Sequence, residues 1–282
     1  MIDIKNLYFK YGKNELFKDL QLSVDSGNIY GLLGKNGAGK STLLKIISGM
    51  LFVDKGSCLV KDNSSFKRLP HFLEDLYYLP EEFYLPPLKS SEYEIMFGEL
   101  YPAFDKIKFR EYLQEFDLDP DTDKRLSKFS LGQKKKYLLA FGLASGTSLL
   151  LLDEPTNGLD IPSKRQFRRL VSMAMSDKRT IIISTHQVKD VENLIDPVII
   201  LDNGIILFNQ TMEKINKELT VSVEKDSDPE ALYTEETIGG YTTVSKNITG
   251  EEGEIDLEIL FNTVVTSRDK VQKLFNGEAI NE

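Results

Sequence analysis

Residues Gly34-Lys35-Asn36-Gly37-Ala38-Gly39-Lys40-Ser41 fit the pattern G-x-x-x-x-G-K-[ST], a phosphate-binding loop. Glycines at this spacing let the backbone take positive φ and come close to a phosphate, where a Cβ would stand in the way. Successive N–H groups and the N-terminus of a following helix then face the β-phosphate of a nucleotide. Lys40 is placed to neutralise β- and γ-phosphate charge, and the Ser41 hydroxyl to ligate Mg²⁺. A loop of this kind needs a second strand that carries carboxylates, and Leu149 to Glu154 supplies one. Asp153, at the strand's end, can hold Mg²⁺ directly or through water, and Glu154 is placed to polarise a water for attack on the γ-phosphate. Tyr11, in a turn, is a candidate to stack on a purine.

The elements needed to position these groups can be read from the pattern. Ile29 to Leu33 is a short apolar run that suits a buried strand, and Thr42 to Ser48 has helical spacing with Gly49 as its stop. Upstream, Ile2 to Phe9 and Leu20 to Val24 alternate apolar and polar residues, which predicts a hairpin-like antiparallel β segment with one wet face. Cys58 to Val60 and Leu76 to Leu79 are further strand candidates, the second stopped by Pro80. From Ser90 to about Phe129 the pattern is helical, with breaks at Pro102 and Pro120. Its aromatics (Tyr93, Phe97, Tyr101, Phe104, Phe109, Tyr112, Phe116) recur near helical spacing, as core of a helical subdomain with some of them available as a docking surface.

Ser130 suits the N-cap of a helix running to about Ser145, with Lys134 to Lys136 on its solvated face. Thr180 to His186 is a second apolar strand with polar residues at its end, and the Asn203-Gly204 pair predicts a hairpin between Val198 to Leu201 and Ile205 to Phe208. Thr211 caps a last short helix. Beyond Lys217, strand-like pieces at Leu219 to Val223, Tyr241 to Val244 and Ile255 to Leu260 predict a small accessory domain, β-rich or α+β.

Bulk properties narrow the class. The 282 residues suffice for one large or two modest domains. The net charge of −9 is concentrated from Lys217 onward, where 6 Lys+Arg stand against 15 Asp+Glu; a nucleic-acid partner is therefore disfavoured. No apolar stretch approaches the roughly 20 residues that span a bilayer, and Asp3, Asn6 and Lys10 interrupt any apolar leader. The single cysteine, Cys58, fits a reducing compartment and a small packing role.

In order and spacing, Ile2 to about Lys217 resembles the ATP-binding-cassette ATPases, the nucleotide-binding subunits of ABC transporters. Tyr11 matches the aromatic that stacks on adenine, Gly34 to Ser41 with Thr42 the Walker A loop, and Leu149 to Glu154 the Walker B strand with its catalytic glutamate. Gly158-Leu159-Asp160 matches the D-loop, and His186 the switch histidine that reaches the γ-phosphate, whereas His71 has no such context and is read as structural. Two positions depart from the family pattern. Phe129-Ser130-Leu131-Gly132-Gln133 stands where the signature Leu-Ser-Gly-Gly-Gln is usual, a variant that looks like those of two-gene bacterial exporters, and Glu81 stands where the family has the Q-loop glutamine. The Glu81 carboxylate could still contact Mg²⁺ or the attacking water.

The resemblance implies an α/β fold: a P-loop NTPase domain of ABC type over residues 1–216, with an N-terminal antiparallel β part and a helical subdomain at about 88–145. Residues 217–282 would then form a small acidic C-terminal domain. It also implies ATP and Mg²⁺ as cofactors, with two subunits, identical or different, facing head to tail. Ser130, Gly132 and Gln133 of one would then meet the nucleotide held by the other. Without a span of its own, such a chain works on a separate transmembrane permease, in the cytoplasm at the inner face of the membrane, with the region around Glu81 to Phe104 as the contact. The implied work is export. The alternative is a soluble ABC ATPase acting as a switch in translation or repair; against it stand the single cassette, the lack of a long coiled-coil insertion and the charge. An inert binding module is disfavoured because Lys40, Asp153, Glu154 and His186 are all present.

Overall fold

The computed structural model describes residues 1–122, 124–248 and 253–276. In chain order, β1 (Ile2–Tyr11) and β2 (Asn14–Val24) form a hairpin, and β3 (Ile29–Leu33) leads through the glycine-rich loop into α1 (Lys40–Ile47). β4 (Lys55–Val60), β5 (Asn63–Ser64), α2 (Pro70–Leu73) and β6 (Leu76–Leu79) follow. The helical part is α3 (Ser90–Gly98), α4 (Lys106–Glu115) and α5 (Leu131–Ala144). Then come β7 (Leu149–Asp153), α6 (Ile161–Ala174), β8 (Thr180–Thr185), β9 (Val198–Asp202), β10 (Ile205–Gln210) and α7 (Met212–Glu218). The C-terminal part is β11 (Leu219–Glu224), β12 (Tyr233–Thr237), β13 (Gly240–Lys246), α8 (Leu257–Thr266) and α9 (Arg268–Asn276).

Among the described residues the strands make a central sheet in the order β10-β9-β3-β8-β7-β6, an antiparallel sheet β2-β1-β4-β5, and a small sheet β11-β13-β12. In the central sheet β6, β7, β8, β3 and β9 run parallel and β10 closes the edge antiparallel. β7 and β8 are buried at every position, because helices and the second sheet cover both faces; this is why they read as unbroken apolar runs. β1 alternates as expected, with Ile2, Ile4, Leu7 and Phe9 inward, and Cys58 is fully buried with its thiol pKa raised to about 11 by that burial. The parallel register brings the C-terminal ends of β3, β7 and β8 together, Leu33 beside Thr185 and Asp153 beside Ser184. That edge carries the site.

Three expectations are corrected. The docking role foreseen for some helical aromatics fails, because Tyr93, Phe109, Tyr112 and Phe116 are buried and Phe97, Tyr101 and Phe104 pack against the same core. Tyr93 stacks on Phe97 with centroids 4.2 Å apart, and Phe104 meets Phe141 at 4.9 Å. The exposed large apolar side chains from the loop after β6 through α5 are Tyr84, Ile95, Met96, Leu100, Ile107 and Leu131 instead. Second, Ile255 to Leu260 is not a strand. Asp256 accepts hydrogen bonds from the Glu258 and Ile259 N–H groups at 2.7 and 3.2 Å, and this cap starts α8, which buries Leu257, Leu260 and Val264 along one helical face. Third, Lys135 lies inside the protein, as the site makes clear.

The part after Lys217 shares its core with the rest. Val244, Leu260, Val264, Val271 and Phe275 join the apolar cluster that contains Ile200 and Leu207, and Phe275 meets Phe208 edge to face at 4.9 Å.

Candidate active site

The phosphate loop is shaped by its own packing. A Cβ on Gly34 would lie 2.4 Å from the Leu201 carbonyl oxygen, and Gly39, at φ 110°, is the N-cap of α1 with the Phe17 ring 2.8 Å from where its Cβ would be. Gly37, at φ 82°, has open space on that side. Lys40, the first residue of α1, is 7% exposed and donates to the Gly34 carbonyl at 2.7 Å and the Lys35 carbonyl at 3.3 Å. Burial lowers its pKa, opposed by the charges of Glu154, Asp153 and Glu81. The loop thus already bends around one buried ammonium, with Lys35, Asn36 and Gly37 exposed on its rim.

The second half of the site is the end of β7. Asp153 is buried, its Oδ1 accepting from the Ser184 hydroxyl at 2.5 Å and its Oδ2 from the Tyr78 hydroxyl at 3.4 Å. Burial and that carboxylate push the Tyr78 pKa far up. The strand ends one residue earlier than the pattern predicts, since Glu154 turns to φ 47°. Its N–H donates to the Ser184 carbonyl at 3.1 Å. Glu154 Oε1 lies 2.8 Å from His186 Nδ1 and 3.7 Å from Lys40 Nζ. Glu154 Oε2 is buried and has no hydrogen-bond partner. A carboxylate oxygen in that condition costs on the order of 1–3 kcal/mol, a cost met with at sites where a ligand or water completes the bonding.

The donor set fits a hard cation. Ser41 and Asp153 offer oxygens, but among the described residues no group of three His, Cys, Asp or Glu side chains could hold a metal alone. Mg²⁺ would therefore complete its shell with phosphate oxygens and water, its usual mode.

The remaining candidates are spread around this centre. Tyr11 is half exposed, edge-on to Phe9, with its hydroxyl 3.3 Å from Thr42 Oγ1. Glu81 is exposed, and its Oε1 accepts from Asn157 Nδ2 at 2.9 Å. Asp160 caps α6 by accepting from the Ser163 hydroxyl and, at 2.9 Å, from the Ser163 N–H, and these two bonds hold its carboxyl below the usual range. Ser130 and Gln133 form a capping box at the start of α5, the Gln133 N–H reaching Ser130 Oγ at 3.2 Å and the Ser130 N–H reaching Gln133 Oε1 at 3.0 Å. Ser130 is exposed. Gly132 lies against Gly158, whose oxygen would be 3.4 Å from an added Cβ. His71 pairs with Asn63 on the surface, away from these groups.

Two participants escaped the sequence reading. Lys135, expected on a solvated face, is 4% exposed and donates to the carbonyls of Glu154 at 2.9 Å and Asn157 at 2.8 Å. Its helical position was the available signal, since 135 shares a face with the buried Leu138, Leu139 and Gly142. Phe261 of α8 helps line a cavity of about 220 Å³ with Gly34, Lys35, Asn36, His186 and Val188. No local signal marks that residue, because it arrives by long-range packing.

A family model described as ABC transporter matches residues 17–157. The bacitracin transport ATP-binding protein BcrA of Bacillus licheniformis is 32% identical over 220 residues, 77% of this chain and 72% of that protein. The lantibiotic transport ATP-binding protein SrtF of Streptococcus pyogenes is 31% identical over 222 residues, 74% of this chain and 90% of that one. The ABC transporter ATP-binding protein YtrB of Bacillus subtilis (strain 168) is 28% identical over 242 residues, 84% of this chain and 82% of that one. A solved structure of an ATP-binding subunit of an ABC transporter superposes with a TM-score of 0.68 at 25% identity, over 77% of this chain and 92% of that chain.

Proposed function

This chain belongs to the ABC transporter family and is an ATPase, and from that premise we propose that ATP is hydrolysed at Lys40, Glu154 and His186 between two head-to-tail subunits. What carries this reading is the position of Glu154 Oε1, 2.8 Å from His186 Nδ1 and 3.7 Å from Lys40 Nζ at the edge of the phosphate loop. Tyr11 stacks on adenine, while the N–H groups from Gly34 to Thr42 and the Lys40 ammonium hold the phosphates. Glu154 takes the proton of the attacking water, for which its unpartnered Oε2 is suited. His186, oriented by its contact with Glu154, and Lys40 stabilise the charge that spreads over the γ-phosphate. Ser41 and Asp153, with Glu81 beside them, would hold Mg²⁺, which supplies further neutralisation of phosphate charge. Ser130, Gly132 and Gln133 complete the site of the second subunit, and Asp160 holds the turn beside them. ATP then bonds one chain to the other until hydrolysis breaks the link.

The work goes to a separate transmembrane permease. No helix among the described residues is long and apolar enough to cross a membrane, and the exposed apolar Tyr84, Ile95, Met96 and Leu100 lie in the stretch where the permease would dock. The chain would thus sit on the inner face of the membrane. The names of BcrA and SrtF, transport proteins for bacitracin and a lantibiotic, favour an exporter over a switch in translation or repair.

The test uses E154Q and K40A. E154Q is expected to bind ATP without turning it over and to elute as a dimer with Mg-ATP on a sizing column, whereas K40A loses affinity for the nucleotide. A monomer at saturating ATP would rule out the head-to-tail pair, and purification with ribosomes in place of a polytopic membrane protein would rule out the transporter.

A further inference from the structure

Lys135 has no part in the mechanism above, yet it is a buried ammonium at the base of the site. A buried cation is costly unless its hydrogens are used and its charge is answered. Here Nζ donates to the carbonyl oxygens of Glu154 and Asn157, at 2.9 and 2.8 Å. Burial pulls its pKa down, and Glu81, Glu154 and Asp153 oppose that fall.

The turn it grips is an unusual one. Glu154 sits at φ 47°, a left-handed conformation that costs a non-glycine residue on the order of 1–3 kcal/mol and persists only where the surroundings impose it. The Asn157 N–H closes the turn on the Glu154 carbonyl at 3.2 Å. Lys135 therefore binds both ends of the turn that sets the direction of the Glu154 side chain. It does so from α5, whose start lies against the same stretch through Gly132 and Gly158. On the far side Asn157 donates to Glu81 at 2.9 Å. One continuous series of contacts thus joins Glu81, Asn157, Lys135 and Glu154, drawn from the loop after β6, the turn after β7 and the first turns of α5.

We propose that Lys135 is a positioning residue for ATP hydrolysis: it fixes the 154–157 turn, and with it the aim of Glu154, to the N-terminal end of α5. The inference rests on the reading of Glu154 as the general base. It assigns Lys135 no contact with nucleotide, so its loss should be felt in turnover and not in affinity. It also gives the α5 N-terminus, the part that would meet the second subunit's nucleotide, a rigid link to the carboxylate of its own chain.

The experiment measures kcat and KM for ATP in K135M, K135Q and their combinations with E154Q. K135M preserves side-chain length and removes the donors; it is expected to lower kcat about tenfold or more with KM within about twofold. K135Q, whose amide keeps two N–H donors, is expected to recover several-fold of that loss. Because Lys135 acts through Glu154, adding K135M to E154Q should lower the residual rate by less than about twofold. Wild-type kcat in K135M overturns the proposal. So does a loss in E154Q as large as the loss in the wild type, or a joint loss in kcat and KM that K135Q does not relieve. Should K135M fail to fold, K135Q and K135Q with E154Q give the same comparison. A wild-type rate in E154Q would overturn the general base and this inference together, whereas an inactive E154Q beside a full-rate K135M would overturn this inference alone.

Discussion

Helix α5 has a buried cation near each end, and the two differ in a way that separates chemistry from architecture. Near the N-terminus stands Lys135, 4% exposed; at the C-terminus stands Arg179, 7% exposed, reaching in from the start of β8. Arg179 donates to the carbonyls of Leu143 at 2.7 Å, Gly142 at 3.0 Å and Ala174 at 3.3 Å, at the ends of α5 and α6; of these, Gly142 also accepts from the Ser145 hydroxyl at 2.7 Å. Both cations bind carbonyl oxygens and both are pulled down in pKa by burial. Arg179, however, lies at the negative end of its helices, where a cation is favoured, and its donors go to the carbonyl oxygens there. Lys135 lies near the positive end, where a cation is disfavoured, and three carboxylates hold it there. Burial of a charge therefore does not mark a site in this protein. What marks one is a charge placed against the local dipole and compensated by acids that have other work.

The largest expected effect breaks the comparison at the N-terminal end. E154Q keeps the shape of the side chain and removes the base, so kcat should fall by about 10²–10⁴-fold with ATP binding retained. An ATPase assay beside a nucleotide-binding titration checks this, and a fall below tenfold would mean that the carboxylate nearest His186 and Lys40 is not the base. The next effect belongs to the other end. R179M leaves the carbonyls of Leu143 and Ala174 without their donor, while Gly142 keeps Ser145, and should cost about 2–4 kcal/mol in urea unfolding. Below the melting transition its kcat should remain near that of the wild type. A kcat loss in R179M that matches E154Q would erase the distinction between the two ends.

How much of this could be read in advance varies with the range of the interactions. The phosphate loop, β7, β8 and the β9–β10 hairpin follow from patterns complete within a dozen residues, and the structure has them within two residues of where the sequence puts them. The meeting of Lys40, Glu154 and His186 follows from parallel pairing of β3, β8 and β7, which brings strand ends together whatever the loops between. Lys135 was misread because three successive lysines suggest a wet face, although helical geometry puts the middle one on the buried face with Leu138 and Leu139. The run from Ile255 to Leu260 satisfies a period of two and of 3.6 alike, and Asp256 as a cap decides it. Phe261 reaches the phosphate loop by the docking of α8, a tertiary event with no local trace.

The smallest effect sharpens the comparison. Leu131, the first residue of α5, is 67% exposed, next to the capping Ser130 and one residue from Gly132. Within its own chain it packs little, and alanine is a good helix former, so L131A should change unfolding free energy by less than about 0.5 kcal/mol. An exposed leucine at this place has a consequence only for something that approaches from outside, and in the proposed arrangement that is the second subunit's nucleotide site. The ATP dependence of dimer formation in an E154Q background should therefore shift with L131A, while urea unfolding of the ATP-free protein does not. If instead unfolding shifts by more than about 1 kcal/mol, the α5 start is braced within its own chain. The contrast between an outward-facing N-terminal end and an inward-facing C-terminal end would then have to be withdrawn.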